Sequence, residues 1–326
     1  MPLAPREYSK RLGTLTHAQL ERALARFDLG ELRAAELAPG GLFGQNVFLS
    51  SSRGEFVLRG APHADWQFPK ERFFSRQLHA LTDVRVPWPY RMEESPEIFG
   101  WGFALLPKLP GASLSNPDTA AALGAGLSEL HAAVWPFRGD YDLAIDDIRP
   151  AADEFADAFV ARLRGWLSRC REASDATTDA DAAWVETIVA RLRPALPRNA
   201  EFQPTFVHGD YSEGNALVEY GDSGWRVSGV LDLMTMYVGD PEEDLVRMLA
   251  HYSRVDRRAA SRFLDAYRAL RPLRPGFEER IPLYALADSL LFWEYGQRNR
   301  IWFRAGQCLR EFAERFLELE LRSARP

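Results

Sequence analysis

The apolar residues of this chain change period once, and that change limits the folds open to it. From about Glu31 to Leu109 they come in short alternating runs, ELRAAELA, NVFLS, EFVLRG and WGFALLPKL, the first three separated by PGGLFGQ and SSRG. Alternation of period two, broken by glycine-bearing turns, predicts antiparallel strands joined by hairpins. Helices accompany them: Thr16-His17-Ala18-Gln19 has capping-box spacing ahead of LERALARF, and Pro69 to Leu81 puts Phe73, Phe74, Leu78 and Leu81 on one face. The breaker-dense Leu106-Pro107-Lys108-Leu109-Pro110-Gly111 closes this β-rich unit, and the pattern beyond it is almost wholly helical. Helices are predicted from the Asn116-Pro117-Asp118 start, over 153–172 and 180–192, and from Pro241 to the end. Short strands return between Phe202 and Leu233 as TFVHGD, NALVEY and WRVSGVLDL. The expected class is α+β, with a small antiparallel β unit at 1–107 and a larger, mostly helical unit at 108–326.

Composition narrows the partners. The 326 residues, 46% hydrophobic and 26% charged, suit a folded chain of two or three structural units. A net charge of −6 provides no global positive field for nucleic acid or an anionic membrane. Cys170 and Cys308 stand far apart, as neither a disulfide framework nor a zinc spacing, and no stretch reaches the ~18 apolar residues of a spanning helix. A cytoplasmic protein without nucleic-acid or membrane partners is expected. The lysines are only Lys10, Lys70 and Lys108, so a mechanism that needs one has few candidates.

The densest set of reactive groups lies in the second strand region: His208, Asp210, Asn215, Asp232, Asp240 and Asp244. Gly209 permits a tight turn at Asp210, Asn215 follows one loop later, and Asp232 ends an apolar strand, so three hard oxygen donors can face one cavity. Oxygen ligands with little histidine and no cysteine favour Mg²⁺, usually completed by water and phosphate oxygens. Asp210 and Asp240 also read as ordinary turn and helix caps, since Gly239-Asp240-Pro241 is a common helix start. The loop from Pro39 to Asn46, with Gly41 and Gly44, can set bare N–H groups against phosphate or be a plain turn, and it is not a Walker sequence. Arg59 on the third strand and Glu71 on the next helix match the cation and carboxylate with which kinases hold phosphates, and Arg59 equally reads as a surface residue of an edge strand.

HGDYSEGNALV at His208 to Val218, VSGVLDL at Val227 to Leu233 and GDPEEDL at Gly239 to Leu245 together resemble the aminoglycoside phosphotransferase and choline kinase-like family. The glycine hairpin, EFVLRG, the Glu71 helix, VPWPY and LLPKLPGASL resemble its N-terminal landmarks more loosely, so the likeness covers roughly 37–252. The resemblance implies a bilobal protein-kinase-like fold with ATP or GTP in a cleft beside Leu106, Lys108 and Leu109, whose backbone would meet the purine. It implies Asp210 as catalytic base, Asn215 and Asp232 as Mg²⁺ ligands, and Arg59 with Glu71 as the phosphate clamp. By the same likeness His208 and Asp240 brace the catalytic loop, His208 as part of the catalytic group, and Asp244 supports it. Asp232-Leu233-Met234 departs from the DFG of protein kinases, and no APE-like segment follows.

A small-molecule hydroxyl acceptor is then expected between the catalytic loop and the late helices. Glu213, Asp288 and Glu294 are candidate partners for a cationic acceptor such as an aminoglycoside, or plain solvated groups. Two other readings stay open at this point. One is a metal-dependent hydrolase built on His208, Asp210, Asp232 and Asp240; the other is a nucleotide-binding pseudokinase acting as an interaction module.

Overall fold

The structure is a computed structural model that describes residues 12–38, 46–304 and 306–317. Its first helix, α1 (His17–Arg26), starts on the predicted capping box: Thr16 Oγ1 accepts from the Gln19 N–H while Gln19 Oε1 accepts from the Thr16 N–H. The strands β1 (Leu32–Leu37), β2 (Asn46–Ser51) and β3 (Gly54–Gly60) follow, then helix α2 (Gln67–Leu81) and strands β4 (Arg91–Glu93) and β5 (Phe103–Pro107). Among the described residues they form a five-stranded sheet in the order β1-β2-β3-β5-β4, antiparallel at every pairing. Alternate residues Val47, Leu49, Phe56, Leu58, Phe103 and Leu105 turn to one side and bury against Leu20 and Leu24 of α1, which fixes the register.

The rest of the chain runs α3 (Ala120–Leu130), β6 (Gly139–Asp142), β7 (Asp147–Pro150), α4 (Phe155–Ala173), α5 (Asp179–Leu192), β8 (Thr205–Val207), β9 (Ala216–Gly221), β10 (Gly224–Val230) and β11 (Tyr237–Gly239). Helices α6 (Leu245–Val255), α7 (Arg257–Leu270), α8 (Phe277–Asn299) and α9 (Leu309–Leu317) complete it. The β6–β7 hairpin and the short β4 and β11 are not among the predicted strands. Each spans three or four residues, too short for an alternation to register, and tertiary pairing forms them: β11 lies between β6 and β8 in a four-stranded sheet.

Two apolar cores support the helical part. One gathers α3, α6 and α7 around Leu127, Leu249 and Phe263, and it also takes Phe73, Phe74 and Leu78 of α2. The Glu71 helix is thereby packed on the helical part as well as on its own sheet. The other core joins α4, α5, α8 and α9 around Leu163, Val185, Leu286 and Trp293. No helix of the described residues is long and apolar enough to cross a membrane.

Candidate active site

Strand ends position the reactive groups. His208 follows β8, Asn215 precedes β9, Asp232 lies two residues beyond β10, and Asp240 follows β11. Antiparallel pairing then brings these ends together: Val207 pairs with Tyr237 and Ala216 with Val230. Leu231 closes the arrangement, its N–H donating to the Asn215 carbonyl at 2.8 Å and its carbonyl accepting from His208 Nε2 at 2.9 Å.

Asp210 stands on the turn that Gly209 allows. Gly209 has φ of +74°, and a Cβ there would come within 2.9 Å of the Thr235 carbonyl oxygen. The Asn215 amide donates from Nδ2 to Asp210 Oδ2 and to the Asp210 carbonyl, 2.9 Å each, which orients the carboxylate and leaves the amide oxygen of Asn215 for a ligand. Asp232 has φ of +60°, a left-handed conformation uncommon outside glycine, and this sharp reversal presents its carboxylate beside the loop. Asn215 and Asp232 therefore supply two hard oxygen donors at one end of the cleft. That set suits Mg²⁺, which keeps water and phosphate oxygens in its remaining positions.

Arg59 and Glu71 meet as predicted, and Asp232 joins them. Arg59 Nη2 donates to Glu71 Oε1 and to Asp232 Oδ1, both at 2.9 Å. The Glu71 carboxylate also accepts from Gln67 Nε2 at 3.0 Å and from the Tyr90 hydroxyl at 2.9 Å. Burial opposes the charge of Arg59, but Glu71 and Asp232 outweigh it and hold the guanidinium protonated above its ordinary value. Burial likewise pushes the Glu71 carboxyl up, against the pull of Arg59. Arg59 Nε is buried with no partner, a spare donor that suits an oxyanion. Asn46 pairs opposite Arg59 in the sheet, hence on the same face, and its amide oxygen is also buried and unpartnered. Gly41 and Gly44 lie outside the described residues.

The segment expected to meet a purine is partly committed. Pro107 has no N–H, and the Lys108 N–H continues the ladder to the Glu55 carbonyl at 3.0 Å. Lys108 instead places its ammonium 4.3 Å over the Phe48 ring. Leu106 is buried, and Leu109 packs against Gly229, where a Cβ would approach its Cδ1 to 2.6 Å. Carbonyl oxygens and the Leu109 N–H remain for a base.

His208 is not placed to touch a substrate. It is fully buried, its Nδ1 accepts from the Asp210 N–H at 3.2 Å, and its Nε2–H donates to Leu231. Burial lowers its pKa, which keeps the neutral ring that this pattern requires. His208 is a positioning residue, and with both nitrogens engaged it offers no lone pair to a metal. Asp244, rather than Asp240, braces the loop: it accepts from the His208 N–H at 2.6 Å, from the Gly209 N–H at 2.8 Å, and from His131 Nε2 at 3.0 Å. Asp240 is buried and bonded instead to Arg274 and to the Tyr284 hydroxyl while capping the Glu242 N–H, so it ties the segment to α8. These engagements remove His208 and Asp240 from a two-metal hydrolase, and among the described residues no three acidic, histidine or cysteine side chains group as a metal site.

Sequence reasoning missed Arg247. Its guanidinium, on α6, ion-pairs with Asp210 and, through Nη2, with Asp288 Oδ1 at 2.5 Å, and it lies 4.8 Å from the Phe292 ring. The available signal was an arginine three residues after Asp244, on a helix face that also carries His251 and Arg254. Two cavities, of about 860 and 1120 Å³, are both lined by Arg247 and Asp288. Glu213 lines the smaller one beside the loop. Glu294 lines neither: six residues from Asp288 it falls on another face of α8, is buried, and pairs with Arg298.

With this geometry, residues 34–279 match the model of the phosphotransferase enzyme family. A homoserine kinase of Methylobacillus flagellatus is 25% identical over 308 residues, 90% of this chain and 88% of that protein. The macrolide 2'-phosphotransferase MphH from Brachybacterium faecium superposes with a TM-score of 0.59 at 22% identity, covering 92% of this chain and 97% of that one. The aminoglycoside phosphotransferase APH(4)-Ia, solved with AMP-PNP and hygromycin B, gives 0.64 at 15% identity over 93% and 98% of the two chains. These structures share the bilobal protein-kinase-like fold, a small antiparallel β lobe and a larger helical lobe.

Proposed function

The chain belongs to the phosphotransferase enzyme family, and from that premise we propose that it transfers the γ-phosphoryl group of ATP to a hydroxyl of a small molecule. The observation that carries the proposal is the convergence of Asp210, Asn215 and Asp232 with a buried Arg59 whose Nε–H has no partner. Phosphoryl transfer passes through a loose transition state with charge spread over the phosphoryl oxygens, so positioning and positive charge carry most of the rate. Arg59 and Asn46 face the phosphates from the sheet, and Asn215 with Asp232 would hold Mg²⁺, which supplies charge neutralisation when bound. ATP is the donor we favour because the fold-sharing APH(4)-Ia is solved with AMP-PNP.

Asp210 takes the acceptor proton. The acceptor oxygen bonds to the γ-phosphorus as the bond to the β–γ bridging oxygen breaks, the hydroxyl proton passes to Asp210, and ADP leaves. The bond from Asn215 Nδ2 holds Oδ2, so Oδ1, which Arg247 covers in the free enzyme, is the oxygen that meets the hydroxyl. The curated homoserine kinase relative places small hydroxy compounds of amino-acid size among the acceptors to try. The reading is tested by ADP release from Mg-ATP over a panel of hydroxy amino acids, sugars, aminoglycosides and macrolides. Acceptor-dependent release that disappears in Asp210→Asn supports it; release that is independent of acceptor and unchanged in the variant overturns it.

A further inference from the structure

Two of the smaller cavity's carboxylates lie against basic side chains, while three of its four arginines have no carboxylate partner among the described residues. Glu213 Oε2 lies 3.3 Å from His251 Nε2, and Asp288 receives the guanidinium of Arg247. Arg254 on α6, Arg304 on the α8–α9 connection and Arg315 on α9 line the same cavity. Among the described residues none of the three has a carboxylate partner. Arg254 rests 5.6 Å from the Phe316 ring, and Arg315 Nε donates to the Glu311 backbone carbonyl at 3.1 Å. Glu311 has no ion-pair partner among the described residues, and over the lining four arginines stand against the three carboxylates Glu213, Asp288 and Glu311, an excess of one positive charge with His251 neutral. The geometry is the reverse of a pocket for a polycation, in which free carboxylates would face the ligand.

We propose that the acceptor bears an oxyanionic group, carboxylate or phosphate, gripped by Arg254, Arg304 and Arg315 while its hydroxyl reaches Asp210. This rests on the kinase reading and names the substrate class of the same site. Guanidinium forks match oxyanions in a planar, two-bond geometry that an ammonium cannot copy. Helix α6, the α8–α9 connection and helix α9 each contribute one fork, and Phe292 and Trp302, whose rings lie 5.9 Å apart in the same lining, give the body of the ligand an apolar wall. Selection would come from the anion and phosphorylation from the loop.

The test measures kcat/KM for matched acceptors: 4-hydroxybutyrate against 4-hydroxybutyramide, L-homoserine against its amide, glycerol 1-phosphate against glycerol, and kanamycin as a polycation. The expected result is at least one oxyanion-bearing member turned over roughly tenfold better than its partner without the oxyanion, the size of a charge-assisted contact. The double variant Arg254→Gln, Arg315→Gln should raise KM for that acceptor by about tenfold or more and leave kcat within about twofold. Arg254→Lys should recover only part of the loss, and both side chains are exposed, so the melting temperature reports that the variants fold. The carboxylate pairs and the phosphate pair separate the two oxyanions. Equal or better use of neutral or cationic acceptors overturns the proposal, and so does a variant that changes charged and neutral acceptors alike. Silence with every anionic acceptor while calorimetry shows Mg-ATP binding also overturns it and leaves the kinase reading standing; no Mg-ATP binding removes both.

Discussion

One nitrogen, Arg59 Nη2, bonds Glu71 and Asp232 at once, 2.9 Å from each. It joins the sheet, its helix and the post-β10 turn through one guanidinium that is nearly buried. Removing it in Arg59→Gln leaves Glu71 charged or forcibly protonated in a dry site, at a cost of about 3 to 5 kcal/mol. Urea unfolding should show that loss, and calorimetry should show weakened Mg-ATP binding. Arg59→Lys keeps the charge without the fork and should fall between the two. Unchanged nucleotide affinity in Arg59→Gln would contradict the clamp.

Asp244 holds the catalytic loop from beneath. Asp244→Asn must turn an N–H toward one of three donors, those of His208, Gly209 and His131, and should destabilise the protein by about 3 kcal/mol. The loop carries Asp210, so kcat should fall on the order of a hundredfold while Mg-ATP affinity changes little. A kcat near wild type in a folded variant would remove Asp244 from the positioning machinery.

Much of this was legible. The HGD and Asn215 spacing, the Asp232 strand end and the pairing of Arg59 with Glu71 follow from motifs in which local sequence dictates local geometry. The contacts that sequence could not show join residues distant along the chain. Arg247 reaches Asp288 across 41 positions, Tyr90 reaches Glu71, and His131 reaches Asp244 across 113 positions, with no period or motif linking them. Short β4, β6, β7 and β11 failed for a related reason, since their neighbours rather than their propensity make them strands. Asp288 and Glu294 are six residues apart on α8, so they fall on different faces, and only Asp288 lines the two cavities.

Glu243 gives a pH signature. Burial pushes its carboxyl up to about 7 despite the Arg162 guanidinium beside it. Between pH 4.5, the ordinary value, and about 7 the folded state keeps a proton that the unfolded chain has released. Stability therefore falls as pH rises through that window and is level above it, by about 3 kcal/mol in all. Subtracting the unfolding curve of Glu243→Gln from that of the wild type across pH 4 to 9 should isolate this slope. A difference that rises with pH would contradict it.

Cys170 is buried, donates its S–H to the Leu290 carbonyl at 3.3 Å, and has its thiol pushed up to about 12 by burial. The native protein should consume one equivalent of a thiol reagent, at Cys308, and two after unfolding. Labelling of Cys170 in the native state, read by peptide mass, would show that the α4–α8 core opens.

The central claim is that phosphorus moves from ATP to carbon-bound oxygen under the control of Asp210. ATP labelled at the γ-phosphate, incubated with wild type or Asp210→Asn and a fractionated metabolite extract, should deposit label in an organic phosphate ester with the wild type only, as read by mass spectrometry and ³¹P NMR. Label recovered solely as inorganic phosphate, or an ester formed equally by the variant, would contradict the account.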